Sequence, residues 1–501
     1  MTVGTATIRR LATGVPGLDE VLGGGLPEFS FNVIAGAPGC GKTTLAHQIM
    51  FAQASAERPA VYFTLVGEPP IKMLRYQQQY DFFDLDRLNR AIRFCNLADE
   101  TAAGDPAQVL DRIVAEVEAH QPALVFVDSF RSVALASQRE DRSGLSLQRF
   151  VQKLGVLMTS WQATTFLVDD DMNDAAMNPI LTVADGLIWL RQSVQHNAMV
   201  RKLEITKMRG QATLPGLHTF RIGAGGLHVF APPVIVRNAG SDRPPRPTEH
   251  RLHMGVPGLD AMMGGGLPRG YSLLVAGPSG SGKSILASAF LAEGARAGEA
   301  GVLAVFEQQP DRLRGHEMGD LIEQGAVTVV DTSAPALSVD EIAQLLLAEI
   351  ARRRATRVVI DSLSGFELAL APTFRGEFRE ALSRLVAALA STGVSVLMTS
   401  ELEDRYSDLR FSPYGTAFLT DAIVVQRYVE IDSHLKRVMA VVKVRVSAHS
   451  DQLRLFSIDD DGIHLGEMLP DHEGLLSGQP TRRRPHRAPD SEESPWVAPV
   501  A

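Results

Sequence analysis

Two stretches of this chain have residue types and spacing suited to holding a triphosphate: Gly36-Ala37-Pro38-Gly39-Cys40-Gly41-Lys42-Thr43 and Gly277-Pro278-Ser279-Gly280-Ser281-Gly282-Lys283-Ser284. Both read G-x-x-x-x-G-K-[ST]. The glycines let the backbone curl until successive amide N–H groups face phosphate oxygens, and the lysine ammonium reaches the outer phosphates. The hydroxyl of Thr43 or Ser284 is then placed to ligate Mg²⁺. Thr44 and Ile285 follow directly and complete the candidate nucleotide-binding set.

Such a loop works only between a strand that delivers it and a helix whose N-terminus faces the anion. Phe29–Ala35 and Tyr271–Ala276 are strand-like apolar runs upstream, and Thr44–Ala56 and Ile285–Ala297 are rich in Ala, Leu, Ile and Phe, as helices are. A second strand must bring a carboxylate to the metal's water shell. Leu124-Val125-Phe126-Val127-Asp128 and Val358-Val359-Ile360-Asp361 each lie some 80 residues beyond their loops, which makes Asp128 and Asp361 the metal candidates with Thr43 and Ser284.

Hydrolysis also needs a group that activates water. Glu307 directly follows the apolar run Val302–Phe306, while Glu68 lies two residues past the run Val61–Val66. Late in each half come basic residues two apart, Lys207 and Arg209, then Lys443 and Arg445. Alternation along a strand puts each pair on one face, which reads either as a solvated strand face or as a pair of cations reaching a triphosphate, that of the same or of a neighbouring subunit.

These pieces repeat at a fixed offset: Asp19 in Gly14–Asp19 and Lys42 recur as Asp260 in Gly255–Asp260 and Lys283, each 241 residues later. Leu124–Ser129 then matches Val358–Ser362, and Met158-Thr159-Ser160 is paired with Met398-Thr399-Ser400. Short apolar strands alternating with helical patterns predict two copies of one α/β domain built on a mainly parallel sheet. The expected boundaries are residues 1–232, a proline-rich linker over 233–250, a second domain over 251–476, and a tail over 477–501 too polar and proline-rich to fold.

A chain of 501 residues with 45% hydrophobic and 21% charged side chains suits two globular domains. The formal charge of −9 gives no electrostatic footprint for nucleic acid. Two cysteines, Cys40 and Cys95, cannot form a disulfide framework, and no apolar run approaches the roughly 20 residues of a membrane span, so a cytoplasmic protein is expected. Cys40, inside the first loop, reads as a small residue that fits rather than as a redox switch.

Taken together, both phosphate loops, both acidic strand ends, Gly-Val-Pro-Gly-Leu-Asp ahead of a triple glycine, Lys207-Met208-Arg209-Gly210 and Gln426-Arg427-Tyr428-Val429-Glu430-Ile431 resemble the KaiC family of duplicated RecA-like ATPases, over most of residues 8–470. The resemblance implies ATP bound between subunits of a hexameric double ring, with slow hydrolysis; Mg²⁺ follows from the loop hydroxyls and strand-end aspartates, and a switch of this kind calls for a regulatory protein that reads its nucleotide state. It places Glu307 on the first of two adjacent catalytic glutamates in the second domain, followed here by Gln308, whereas the first domain has Val66-Gly67 at that pair. The family's best-known members phosphorylate themselves on an adjacent Ser-Thr pair, and Ala417-Phe418 stand there in this sequence. The expectation is therefore an ATP-hydrolysing switch, with an autophosphorylating kinase and a DNA-acting recombinase as the alternatives.

Overall fold

The structure is a computed structural model that describes residues 8–65, 70–102, 106–132, 145–169, 179–195, 198–233, 250–306, 317–332, 337–370, 372–402, 419–468, 472–473 and 481–482. The chain divides into two compact units that part at Pro232 and Pro233.

In the first unit nine strands form one sheet: β1 (Phe31–Gly36), β2 (Ala60–Thr64), β3 (Ile92–Asn96), β4 (Leu124–Asp128), β5 (Thr164–Asp169), β6 (Gly186–Gln195), β7 (Ala198–Met208), β8 (Leu217–Gly223) and β9 (Gly226–Phe230). Their spatial order is β9-β8-β7-β6-β1-β5-β4-β2-β3. From β3 to β6 every pairing is parallel, and β6 to β9 form an antiparallel extension. The central strands read as continuous apolar runs because helices cover both faces. Ile34, Tyr62, Phe126 and Phe166 pack on one face and Val33, Phe63, Val127 and Leu167 on the other.

The second unit repeats this order strand for strand. Its strands are β10 (Ser272–Gly277), β11 (Gly301–Val305), β12 (Val327–Val330), β13 (Arg357–Asp361), β14 (Ser395–Glu401), β15 (Ala422–Ile431), β16 (His434–Val444), β17 (Arg454–Asp459) and β18 (Gly462–Met468). The sheet runs β12-β11-β13-β14-β10-β15-β16-β17-β18. Two tandem RecA-like domains, each a mainly parallel sheet flanked by helices, are therefore the architecture. Helices α1 (Lys42–Gln53) and α2 (Lys283–Arg296) follow β1 and β10.

Register corrects one pairing drawn from the sequence. Met158-Thr159-Ser160 ends the helix Leu145–Ser160, whereas Met398-Thr399-Ser400 lies within β14. Phe31 pairs with Thr165 as Ser272 pairs with Val396, so the counterpart of Met398-Thr399-Ser400 is Leu167-Val168-Asp169. The shared Met-Thr-Ser letters are coincidental. Thr481–Arg482, within the span expected as a tail, pairs antiparallel with His472–Glu473.

Candidate functional site

Both phosphate loops sit where β1 and β10 end and α1 and α2 begin. Gly41 and Gly282, at φ 107° and 102°, occupy the backbone region open to glycine. A Cβ at either would lie 2.6 Å from the Cδ1 of Ile222 or Ile458, so the fold excludes side chains there twice over. Gly39, at φ 79°, meets nothing within 4 Å in its Cβ direction, which leaves that side of the first loop open to a ligand. The ammonium of Lys42 donates to the Ala37 carbonyl at 2.9 Å, and that of Lys283 to Gly277 and Pro278 at 2.9 and 2.8 Å. Each lysine thus folds over its own loop, ahead of a helix N-terminus that favours anions.

The fifth loop position differs between the units. Ser281 is fully buried and its hydroxyl donates to Gln426 Oε1 at 3.0 Å, tying the second loop to β15. In the first loop Cys40, also fully buried, packs near Gly36 and the apolar Leu190. Its thiol, shielded from solvent, also accepts from the Lys42 ammonium at 4.0 Å.

Asp128 lies at the end of β4, with β5 between it and β1, and the Thr43 hydroxyl donates to its Oδ2 at 2.8 Å. The sequence thus brings the expected metal hydroxyl and metal carboxylate together. A second donor was not legible: the Tyr62 hydroxyl reaches the same Oδ2 at 2.6 Å. In the second unit Asp361 accepts instead from the Thr399 hydroxyl on β14. A hydroxyl beside a carboxylate, next to phosphate-facing amides, fits Mg²⁺, which is bound by one or two protein oxygens plus substrate phosphates. Glu68 and Glu307 lie outside the described residues. Their strands end as expected, since Leu65 N–H and Phe306 N–H donate to the Asp128 and Asp361 carbonyls at 2.8 and 3.1 Å.

The basic pairs occupy matching places. Lys207 donates to the Thr182 carbonyl at 3.4 Å, and Arg209 to the same carbonyl and to Asp185 Oδ1 at 3.2 Å. Lys443 donates to the Thr420 carbonyl at 2.6 Å and Arg445 to Asp421 Oδ1 at 3.3 Å. Each pair therefore shares one face. Burial, and after it the adjacent arginine, lowers the pKa of Lys207 and of Lys443. Both pairs stand at the wrong end of the sheet for their own loops. Gly36 is level with Leu190, whose partner is Leu203, whereas Lys207 pairs with Leu187, three residues back along β6 past a bulge in β7, about 10 Å toward the strand starts at ~3.3 Å per residue. There Arg209 lines an open cleft of about 620 Å³ with Phe31, Val156, Thr182 and Asp185.

A family model for the KaiC ATPase matches residues 11–234 and again 252–469. The chain belongs to the KaiC ATPase family. It is 26% identical over 495 residues to the circadian clock oscillator protein KaiC of Rippkaea orientalis, covering 95% of this chain and 92% of that one. KaiC 1 of Synechocystis sp. gives the same identity and coverage. KaiC of Prochlorococcus marinus is 24% identical over 502 residues, covering 97% of each chain. ATP binding follows from membership in this ATPase family. Among the described residues no helix is long and apolar enough to cross a membrane.

Against this KaiC frame one position is strained. Gly210 follows Arg209 at φ 82°, and its counterpart after Arg445 is Val446 at φ 51°, 82% exposed. A β-branched residue in the left-handed region costs roughly 1–2 kcal/mol, partly offset in the comparison by glycine's entropy. Val446→Gly is expected to stabilise the second unit by about 0.5–1 kcal/mol, read from urea denaturation by circular dichroism.

Proposed function

We propose that this chain hydrolyses ATP at two sites per subunit and acts as a nucleotide-dependent switch, each site being completed by Lys207 and Arg209 or by Lys443 and Arg445 of an adjacent copy. The displacement of both cation pairs from their own phosphate loops carries this reading. A pair that stands back from its own loop, toward the opposite end of the strands, suits the next loop in a ring or filament.

Within each site the loop amides and the lysine hold the phosphates; the hydrogen-bonded Thr43–Asp128 pair faces the inner shell of the first site, and Ser284 and Asp361 are assigned the same role in the second from the sequence. Bound Mg²⁺ would neutralise charge building on the phosphoryl oxygens. Glu307 is assigned from the sequence as the base that takes the proton of the attacking water. Val66 at its counterpart leaves the first site without a carboxylate there, with Glu68 two residues on, so faster hydrolysis at the second site follows. The clock role named for the relatives is not carried over, because Ala417-Phe418 bear no hydroxyl to accept phosphate.

Light scattering of the full chain should show a multimer, six subunits by family resemblance, that forms on adding ATP and Mg²⁺. Arg209→Ala and Arg445→Ala should assemble less well and hydrolyse more slowly, by about tenfold or more for a lost transition-state cation. A monomer at all nucleotide concentrations would refute the proposal.

A further inference from the structure

The two units orient their metal aspartates from different strands. Relative to Asp128, Tyr62 stands on β2 opposite Phe126, two residues before the aspartate, and Leu303 holds the same place on β11 opposite Val359. Val168 on β5 stands directly beside Asp128, and Thr399 holds that place beside Asp361, since Ile360 pairs with Met398. The first unit thus has a tyrosine on one flank and an apolar residue on the other. The second has the reverse. Each aspartate receives a hydroxyl from one flanking strand, and the donor has changed sides.

We propose that Tyr62 is a positioning residue of the first site, fixing the Asp128 carboxylate for the metal ion as Thr399 fixes Asp361 in the second. This rests on the reading of Asp128 as part of the Mg²⁺ shell. Asp128 Oδ2 takes hydrogen bonds from both Tyr62 and Thr43, at 2.6 and 2.8 Å, which removes the free rotation that a terminal carboxylate otherwise has. The Tyr62 ring is fully buried between the rings of His47 and Phe126, at centroid distances of 4.6 and 5.9 Å, so the hydroxyl is delivered by a rigid body. Supporting residues of this kind set the geometry of metal ligands they do not replace.

The test uses the full chain carrying Lys283→Ala, so that only the first site loads, with Mn²⁺ and ADP as the probe and electron paramagnetic resonance as the readout. Tyr62→Phe keeps the ring packing and loses only the hydroxyl. It should weaken Mn²⁺ binding about tenfold, the size of one hydrogen bond to a charged group, while ADP affinity without metal is unchanged. Adding Val168→Thr, the second unit's arrangement, should recover most of that loss. Unchanged Mn²⁺ affinity in Tyr62→Phe overturns the inference, and so does a loss that the added threonine fails to recover, since a packing defect would behave that way. Asp128→Asn separates the two readings. If it also leaves Mn²⁺ binding unaltered, the metal assignment of the site fails. If it weakens binding and Tyr62→Phe does not, the Tyr62 inference alone is lost.

Discussion

Replacing Lys42 by alanine should remove nucleotide from the first site and leave the second loaded, and Lys283→Ala should do the converse. Each ammonium already lies over its loop, 2.8–2.9 Å from the Ala37, Gly277 and Pro278 carbonyls, so it needs only to exchange these acceptors for phosphate oxygens. Without it a phosphate would face those carbonyl dipoles uncompensated. Charge-assisted hydrogen bonds contribute about 1.5–3 kcal/mol each, so losing the ammonium should cost each site on the order of 100-fold in affinity. The losses should be independent for the binding step, because each loop belongs to its own sheet. Equilibrium dialysis with ATP should therefore fall from two sites to one in either variant and to none in the double variant. Retained ATP affinity in the double variant would refute nucleotide binding at these loops.

The loops were legible because their chemistry is local: eight consecutive residues carry the glycines, the lysine and the hydroxyl, and neighbouring apolar runs supply strand and helix. Asp128 and Asp361 were legible for a related reason, being the polar ends of buried strands. The Tyr62 and Thr399 hydroxyls were not. Each stands in an apolar run where nothing in sequence says which carboxylate lies across the sheet, and only the parallel register places them against Asp128 and Asp361. The false match of Met158-Thr159-Ser160 has the same origin. Three letters agreed, but one copy ends an amphipathic helix and the other fills a central strand, a difference of period that short motifs do not carry. The basic pairs fall between these cases. Strand alternation gave their common face, while the sheet register was needed to show that the pair stands back along the strands from its own phosphate loop.

Acid should destabilise the first unit through His47, whose replacement by leucine should remove most of that sensitivity. His47 lies on α1, fully buried against Tyr62 and Phe94. Burial pushes its imidazole pKa down to about 4, with Gln77 opposing. Neither ring nitrogen reaches hydrogen-bond geometry, so the opposition is weak and burial dominates. In the unfolded chain the ring titrates near its ordinary 6.5. Between those values the unfolded state binds the proton and the folded state does not, so stability falls as pH is lowered from about 6.5 to about 4 and is fully present above. The shift is worth about 3 kcal/mol at 1.36 kcal/mol per pH unit. Tryptophan fluorescence can follow this unit, because Trp161 and Trp189 lie in it and the third tryptophan, Trp496, lies in the C-terminal tail. Unfolding free energies from urea titration of the parent chain should drop steeply over that window, and those of His47→Leu should drop by about 3 kcal/mol less. Matching pH profiles would mean that the imidazole is hydrated in solution. The tight packing of Tyr62, on which the orientation of Asp128 depends, would then be looser than the ring distances indicate.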